Sequence, residues 1–219
     1  MSKLYLYGTI GYDIDADYVR LALDDTDGEL ELRINSGGGD VFEGNSIYAL
    51  LNSWKRQPEN RLTIYVDGLA ASIASVIAMS GDEVLMSANS LMMIHNAWTP
   101  AAAGDSKDLR ETANVLDKVN DTIRTVYEER TGLDRETITS LMDEETWFSA
   151  PEAVNYGFAD RIVSASEEPV ASIKAFNYVN APDWIKTATP EEQSNEQTSS
   201  GMSIAEAKLK FVRCCNSKL

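Results

Sequence analysis

Residues 61–80, RLTIYVDGLAASIASVIAMS, constrain the fold more than any other part of the chain. Residues 62–66 form an apolar run of the length of one buried strand. Asp67 and Gly68 read as the break that ends it. The small residues Ala70, Ala71 and Ser72 follow, and IASVIAMS has the composition of a buried helix. Ser72 then stands at a strand-to-helix turn, on the first turn of that helix. Free backbone N–H groups and the positive end of the helix dipole favour a developing negative charge there. A serine nucleophile needs that placement, with the N–H of Ile73 ready to hold an oxyanion. A helix cap or a small core residue is the other reading of Ser72, since capping serines are common.

Around this stretch the chain reads as short strands and helices. Residues 4–7 form a strand that Gly8 ends, and Asp15 can cap a helix carrying Tyr18, Val19, Ala22 and Leu23. After the Asp27-Gly28 turn, ELELRI alternates, with Leu30, Leu32 and Ile34 on one face. The run Gly37-Gly38-Gly39 leads into a helix with Ile47, Leu50, Leu51 and Trp54 as its stripe. Three readings of the glycines stand side by side. They are a tight turn, a phosphate cradle that lacks the usual spacing, or a segment whose N–H groups approach a substrate carbonyl. A second buried strand, LMMIH, ends at His95, the only histidine of the chain. His95 is either a satisfied edge residue or a partner of Ser72, because sites in such sheets collect at strand ends.

Residues 107–130 carry a long amphipathic stripe, from Leu109 to Tyr127, suited to packing or to contact between subunits. A helix follows Asp134. Ser149 with Glu152 is a capping box, Pro151 lies in the first turn, and Gly157 ends that helix before a strand at 161–163. These β and β-α units indicate an α/β fold with mixed sheets. The organisation expected is a domain over 1–164, an extension over 165–186 that packs on or near it, and a polar tail over 187–219. The tail is read as disordered, with a short helix begun by Ser203 and Glu206.

The net charge of −16 argues against a general binder of nucleic acid or acidic membrane. No apolar run has the length of a membrane span and the N-terminus lacks a signal-peptide pattern, so a cytoplasmic protein is expected. The adjacent Cys214-Cys215 supports neither a disulfide framework nor a zinc site.

Taken together and in order, INSGGGD, GLAASIAS, LMMIHNA and TWFSAPEAVNYGFAD resemble the signature segments of the Clp protease proteolytic subunit. They resemble its phage relatives, the Clp-like head maturation (prohead) proteases, most of all. The resemblance covers about residues 3–164 and implies a Clp/crotonase-like spiral of β-β-α units with a protruding handle helix. By it Ser72 falls on the nucleophile, His95 on the general base, and Gly39 and Ile73 on the oxyanion donors. Gly37, Gly38 and Asn96 are expected beside the substrate. The acid falls on Glu145, where the family commonly has Asp, with Asp143 and Glu144 as competitors. The resemblance also implies a homo-oligomeric ring, a heptamer or stacked heptamers, and no metal or organic cofactor. Capsid or scaffold proteins would be the substrates, in the host cytoplasm or the assembling particle. The chain begins almost at its first strand, which speaks against an ATPase unfoldase partner. A general peptidase working with an unfoldase, and a scaffold protein on the same fold, are the alternatives. The tail is read as a recruitment tag, a self-cleavage target or a solvated end.

Overall fold

The computed structural model describes residues 2–100, 102–164 and Asn180. The tail over 187–219, with Ser203 and the cysteine pair, and all of the extension except Asn180 lie outside the described residues. β1 (Ser2–Tyr7) leads through α1 (Ala16–Asp24) to β2 (Glu29–Ser36), and α2 (Val41–Trp54) leads to β3 (Arg61–Ala71). The short α3 (Ile73–Ala78) precedes β4 (Glu83–Ser87) and β5 (Leu91–Ile94). Then come α4 (Ser106–Thr131), α5 (Arg135–Asp143), β6 (Thr146–Ser149), α6 (Ala150–Asn155) and β7 (Arg161–Val163).

Strands β1, β2, β3, β4 and β7 lie side by side in that order, all neighbours parallel. β3 organises the sheet because it has two partners on one side. Its first half, from Thr63 to Val66, pairs with β4, and its end, from Leu69 to Ala71, pairs with β5. β6 then runs antiparallel to β5. The strand expected to stop at Asp67 therefore continues through it. Asp67 is buried, and its carboxylate accepts hydrogen bonds from the Arg33 guanidinium and from the Tyr7 hydroxyl, so a charge can sit inside the strand. Asp67-Gly68 marks where β3 changes neighbours, not where it ends.

β2 departs from its alternating pattern for the same reason. Leu30, Leu32 and Ile34 enter the core as expected, but Glu31 and Arg33 on the other face are buried too. Arg33 bonds Glu31 at 2.7 Å as well as Asp67, which satisfies the polar face internally.

The helix ends follow the local sequence. Asp15 accepts from Tyr18 N–H, and Ser149 and Glu152 form their reciprocal box. Gly132 closes α4 in the left-handed region at φ 72°, which glycine adopts without a Cβ clash. α4 has 26 residues, hence a length of about 39 Å. Its buried residues Val119, Asn120, Ile123 and Tyr127 all lie in the second half. Leu109 and Val115 in the first half stay exposed, so the helix stands out from the body as a handle. Among the described residues no helix is long and apolar enough to cross a membrane.

Candidate active site

Ser72 follows the last residue of β3 and precedes α3. Its backbone sits at φ 55°, ψ −131°, a conformation that costs a non-glycine residue on the order of 1–3 kcal/mol. The surrounding bonds hold it there: its N–H donates to the Met93 carbonyl at 3.0 Å, and its own carbonyl accepts from Ser75 N–H at 2.9 Å. The hydroxyl makes no capping bond to α3. It lies instead 2.8 Å from His95 Nε2.

His95 is the residue after β5. The parallel pairing of Ala71 with Met93 brings the exits of β3 and β5 together, which is why two residues 23 apart in sequence meet. Burial holds the imidazole pKa below its ordinary value, while the negative charge of Glu145 opposes that shift. The ring is therefore neutral at pH 7. If Nε2 accepts from Ser72, the ring proton sits on Nδ1, the nitrogen that faces Glu145.

Glu145 lies between α5 and β6, buried, at φ 50°. Ser72 and Glu145 are the two non-glycine residues with positive φ among those described. Glu145 Oε2 stands 3.9 Å from His95 Nδ1, in ion-pair range but beyond hydrogen-bond reach. Its Oε1 accepts from Trp147 Nε1 at 3.3 Å and from the backbone N–H of Asn180 at 2.6 Å. Asn180 also donates from Nδ2 to the Glu144 carbonyl at 2.8 Å. The two competing acids look elsewhere: Asp143 accepts from Asn96 Nδ2 at 2.6 Å, and Glu144 from the Ser140 hydroxyl at 3.3 Å.

The glycine run lies against the same turn. A Cβ on Gly38 would come within 2.7 Å of Ser72 Cβ and 2.8 Å of the Ala71 carbonyl, so only glycine fits beside the serine. The Gly38 carbonyl accepts from Ile10 N–H at 2.8 Å. In a trans peptide the N–H of Gly39 then points the opposite way. Gly37 and Gly39 border a cavity of about 570 Å³ together with Ser72, Ile73 and His95. Its other wall is largely apolar, with Val76, Trp98, Leu116, Val119 and Ile123.

The structure thus brings Ser72, His95, Glu145, Ile73 and the glycine segment together. It does not bring Asn96 to the cavity, because that side chain bridges Asp143 and, at 3.5 Å, Arg124. Sequence reasoning missed Trp147 and Asn180. Trp147 lay inside a quoted motif without a role, and nothing in the sequence signals Asn180. Among the described residues no three His, Cys, Asp or Glu side chains are grouped to hold a metal ion.

Comparison with known proteins identifies the family and the fold. The family model described as Clp protease matches residues 6–166. The ATP-dependent Clp protease proteolytic subunit of Leuconostoc citreum is 34% identical over 158 residues, covering 71% of this chain and 77% of that protein. Its counterpart in Deinococcus radiodurans is 30% identical over 142 residues, covering 64% of this chain and 67% of that protein. Among solved structures, a ClpP1 mutant from Listeria monocytogenes superposes with a TM-score of 0.63 at 23% identity, over 74% of this chain and 91% of that one.

Proposed function

This chain belongs to the Clp protease family and is a serine peptidase, and from that premise we propose that Ser72 is its nucleophile, His95 its general base and Glu145 its acid. The observation that carries the assignment is the 2.8 Å contact of Ser72 Oγ with His95 Nε2, with Glu145 on the other side of the ring. His95 takes the hydroxyl proton as Ser72 attacks the peptide carbonyl, and returns it to the leaving amine. Water, deprotonated by the same ring, then hydrolyses the acyl-enzyme. Glu145 keeps the ring proton on Nδ1 and stabilises the imidazolium formed during attack. The N–H groups of Ile73 and Gly39 receive the tetrahedral oxyanion.

An extended peptide lies along residues 37–39 as an added strand. The wall made by Val76, Leu116, Val119 and Ile123 then takes an apolar side chain next to the cut bond. The working form is a ring of copies, heptameric and single or stacked, built with the protruding α4.

The substrates in this reading are capsid or scaffold proteins of a maturing phage head. The support for that step is the likeness of the four motif segments to the phage head maturation proteases. A second reading, in which an ATPase unfoldase delivers substrates, draws on the names of the bacterial relatives, which are ATP-dependent subunits.

A fluorophosphonate probe applied to the assembled protein, followed by mass spectrometry, tests the chemistry. The adduct is expected on Ser72 and absent from Ser72→Ala and His95→Ala; labelling elsewhere would refute the assignment. Incubation with unassembled capsid and scaffold proteins, against a folded reporter plus an unfoldase and ATP, separates the two substrate readings.

A further inference from the structure

Ser75 lies three residues beyond Ser72 and is fully buried in the otherwise apolar α3. Its Oγ is 2.5 Å from the Ser72 carbonyl oxygen, and its backbone N is 2.9 Å from the same oxygen. A carbonyl only accepts, so the single hydroxyl proton of Ser75 is committed to it. The same Oγ lies 2.8 Å from the Tyr127 hydroxyl, and the proton of that second bond must come from Tyr127. Tyr127 sits in the packed half of α4, 1% exposed, with its ring edge-on to Phe158 at 5.5 Å. Burial pushes its pKa well above that of an ordinary phenol, so the hydroxyl keeps its proton at neutral pH. The result is a directed chain from Tyr127 O–H to Ser75 O–H to the Ser72 carbonyl.

That carbonyl shares a peptide unit with the N–H of Ile73. No cis peptide bond occurs among the described residues, so the N–H points opposite to the C=O, and whatever aims one aims the other. Ser72 holds an unfavourable backbone conformation, from which an unrestrained peptide would turn away. Two donors on the carbonyl oppose that turn. They also polarise the amide and strengthen the N–H as a donor at its far end. Alanine and phenylalanine would fill this part of the core without burying two hydroxyls, which are costly when unbonded.

We propose that Ser75 and Tyr127 are positioning residues that aim the Ile73 N–H at the oxyanion, so that the handle helix is tied to the catalytic turn through their hydrogen bond. The proposal rests on Ser72 being the nucleophile and Ile73 an oxyanion donor. It adds two side chains that act through the Ser72 carbonyl; Tyr127, 1% exposed, also borders the cavity.

The test uses the full chain in its assembled form, with Ser75→Ala, Tyr127→Phe and the double variant. Steady-state hydrolysis of a fluorogenic peptide is measured beside inhibition by a peptide boronate, a mimic of the tetrahedral state. Removing an oxyanion donor outright lowers kcat by about 10²–10³-fold, and misaiming one should cost less, about tenfold. Ser75→Ala should therefore lower kcat about tenfold with KM within about twofold, and weaken boronate binding by the same factor. Tyr127→Phe keeps the ring packing and should lower kcat about threefold. The double variant should match Ser75→Ala, because Tyr127 acts through Ser75. The proposal is overturned if kcat and boronate affinity stay within about twofold of the parent while only Tm falls, or if the two effects multiply. Fluorophosphonate labelling of the parent protein is read first. Adduct on Ser72 means that a null result in the variants sinks the positioning role alone, and an adduct elsewhere sinks the nucleophile assignment and this proposal together.

Discussion

Two polar groups flank the second half of β3, Asp67 buried and Ser72 half-buried, and they are built in opposite ways. Asp67, inside the strand, is saturated. Arg33 reaches it with two nitrogens, Tyr7 donates to it at 2.6 Å, and Arg33 also holds Glu31 and stacks over Tyr65 at 5.0 Å. Five residues later, Ser72 ends the strand in a strained backbone, and its partner His95 faces a carboxylate 3.9 Å away. Glu145 is itself strained at φ 50°. In the first cluster each charge is locked to a fixed counter-charge, which raises the Arg33 pKa despite the opposing effect of its burial. In the second, an imidazole is kept neutral by burial and its acid stands off. Saturation marks a cluster that serves the fold. Backbone strain beside a neutral imidazole is what the proposed reaction needs.

Substitutions on both sides can break that contrast. Ser72→Ala should have the largest effect, lowering kcat/KM by about 10⁴-fold or more with little change in Tm; a residual rate near that of the parent would place the chemistry elsewhere. Next comes Asp67→Ala, which strands the buried Arg33 charge and should remove about 3–5 kcal/mol of stability in urea unfolding. A loss below about 1 kcal/mol would mean that Glu31 alone satisfies Arg33.

Glu145→Gln should lower kcat about 10²-fold, roughly 2.7 kcal/mol in barrier, while Tm moves little. It also sharpens the pH argument. Burial lowers the His95 pKa from 6.5 and the Glu145 charge partly restores it. The acidic limb of kcat/KM should therefore lie below pH 6.5 in the parent and move further down in Glu145→Gln; a limb that moves up contradicts the geometry. The same shift has a sign in stability. A folded state that resists protonating His95 loses stability as pH falls below 6.5, and His95→Gln should abolish that part of the acid sensitivity. Tyr7→Phe is the smallest, with about 0.5–1.5 kcal/mol lost from one hydrogen bond to Asp67 and no change in kcat.

Much of this was legible along the chain because it depends on near neighbours. Asp15, and Ser149 with Glu152, cap helices through bonds spanning a few residues, and the helix and strand periods of residues 29–36, 41–54 and 106–131 need only the local sequence. Ser72 and His95 were singled out for similar reasons, one as a small residue between a buried strand and a helix, the other as the only histidine. Side-chain direction was beyond reach. Asp143, Glu144 and Glu145 are consecutive acids, and which of them faces His95 is decided by the backbone turn at Glu145.

The long-range pairs depend on how the chain packs. Asp67 looked like a strand breaker because a lone carboxylate is costly to bury, and only an arginine 34 residues away on the neighbouring strand removes that cost. Ser75 meets Tyr127 across 52 residues and Asn180 meets Glu145 across 35, contacts set by how strands and helices stack and not by any spacing along the chain. The helix caps and the α/β class follow from the local sequence, because hydrophobic periodicity and backbone hydrogen bonding act over a few residues. The register of β3 against both β4 and β5 determined the site, because hydrogen-bond geometry tolerates errors of only a few tenths of an ångström and packing alone supplies that accuracy.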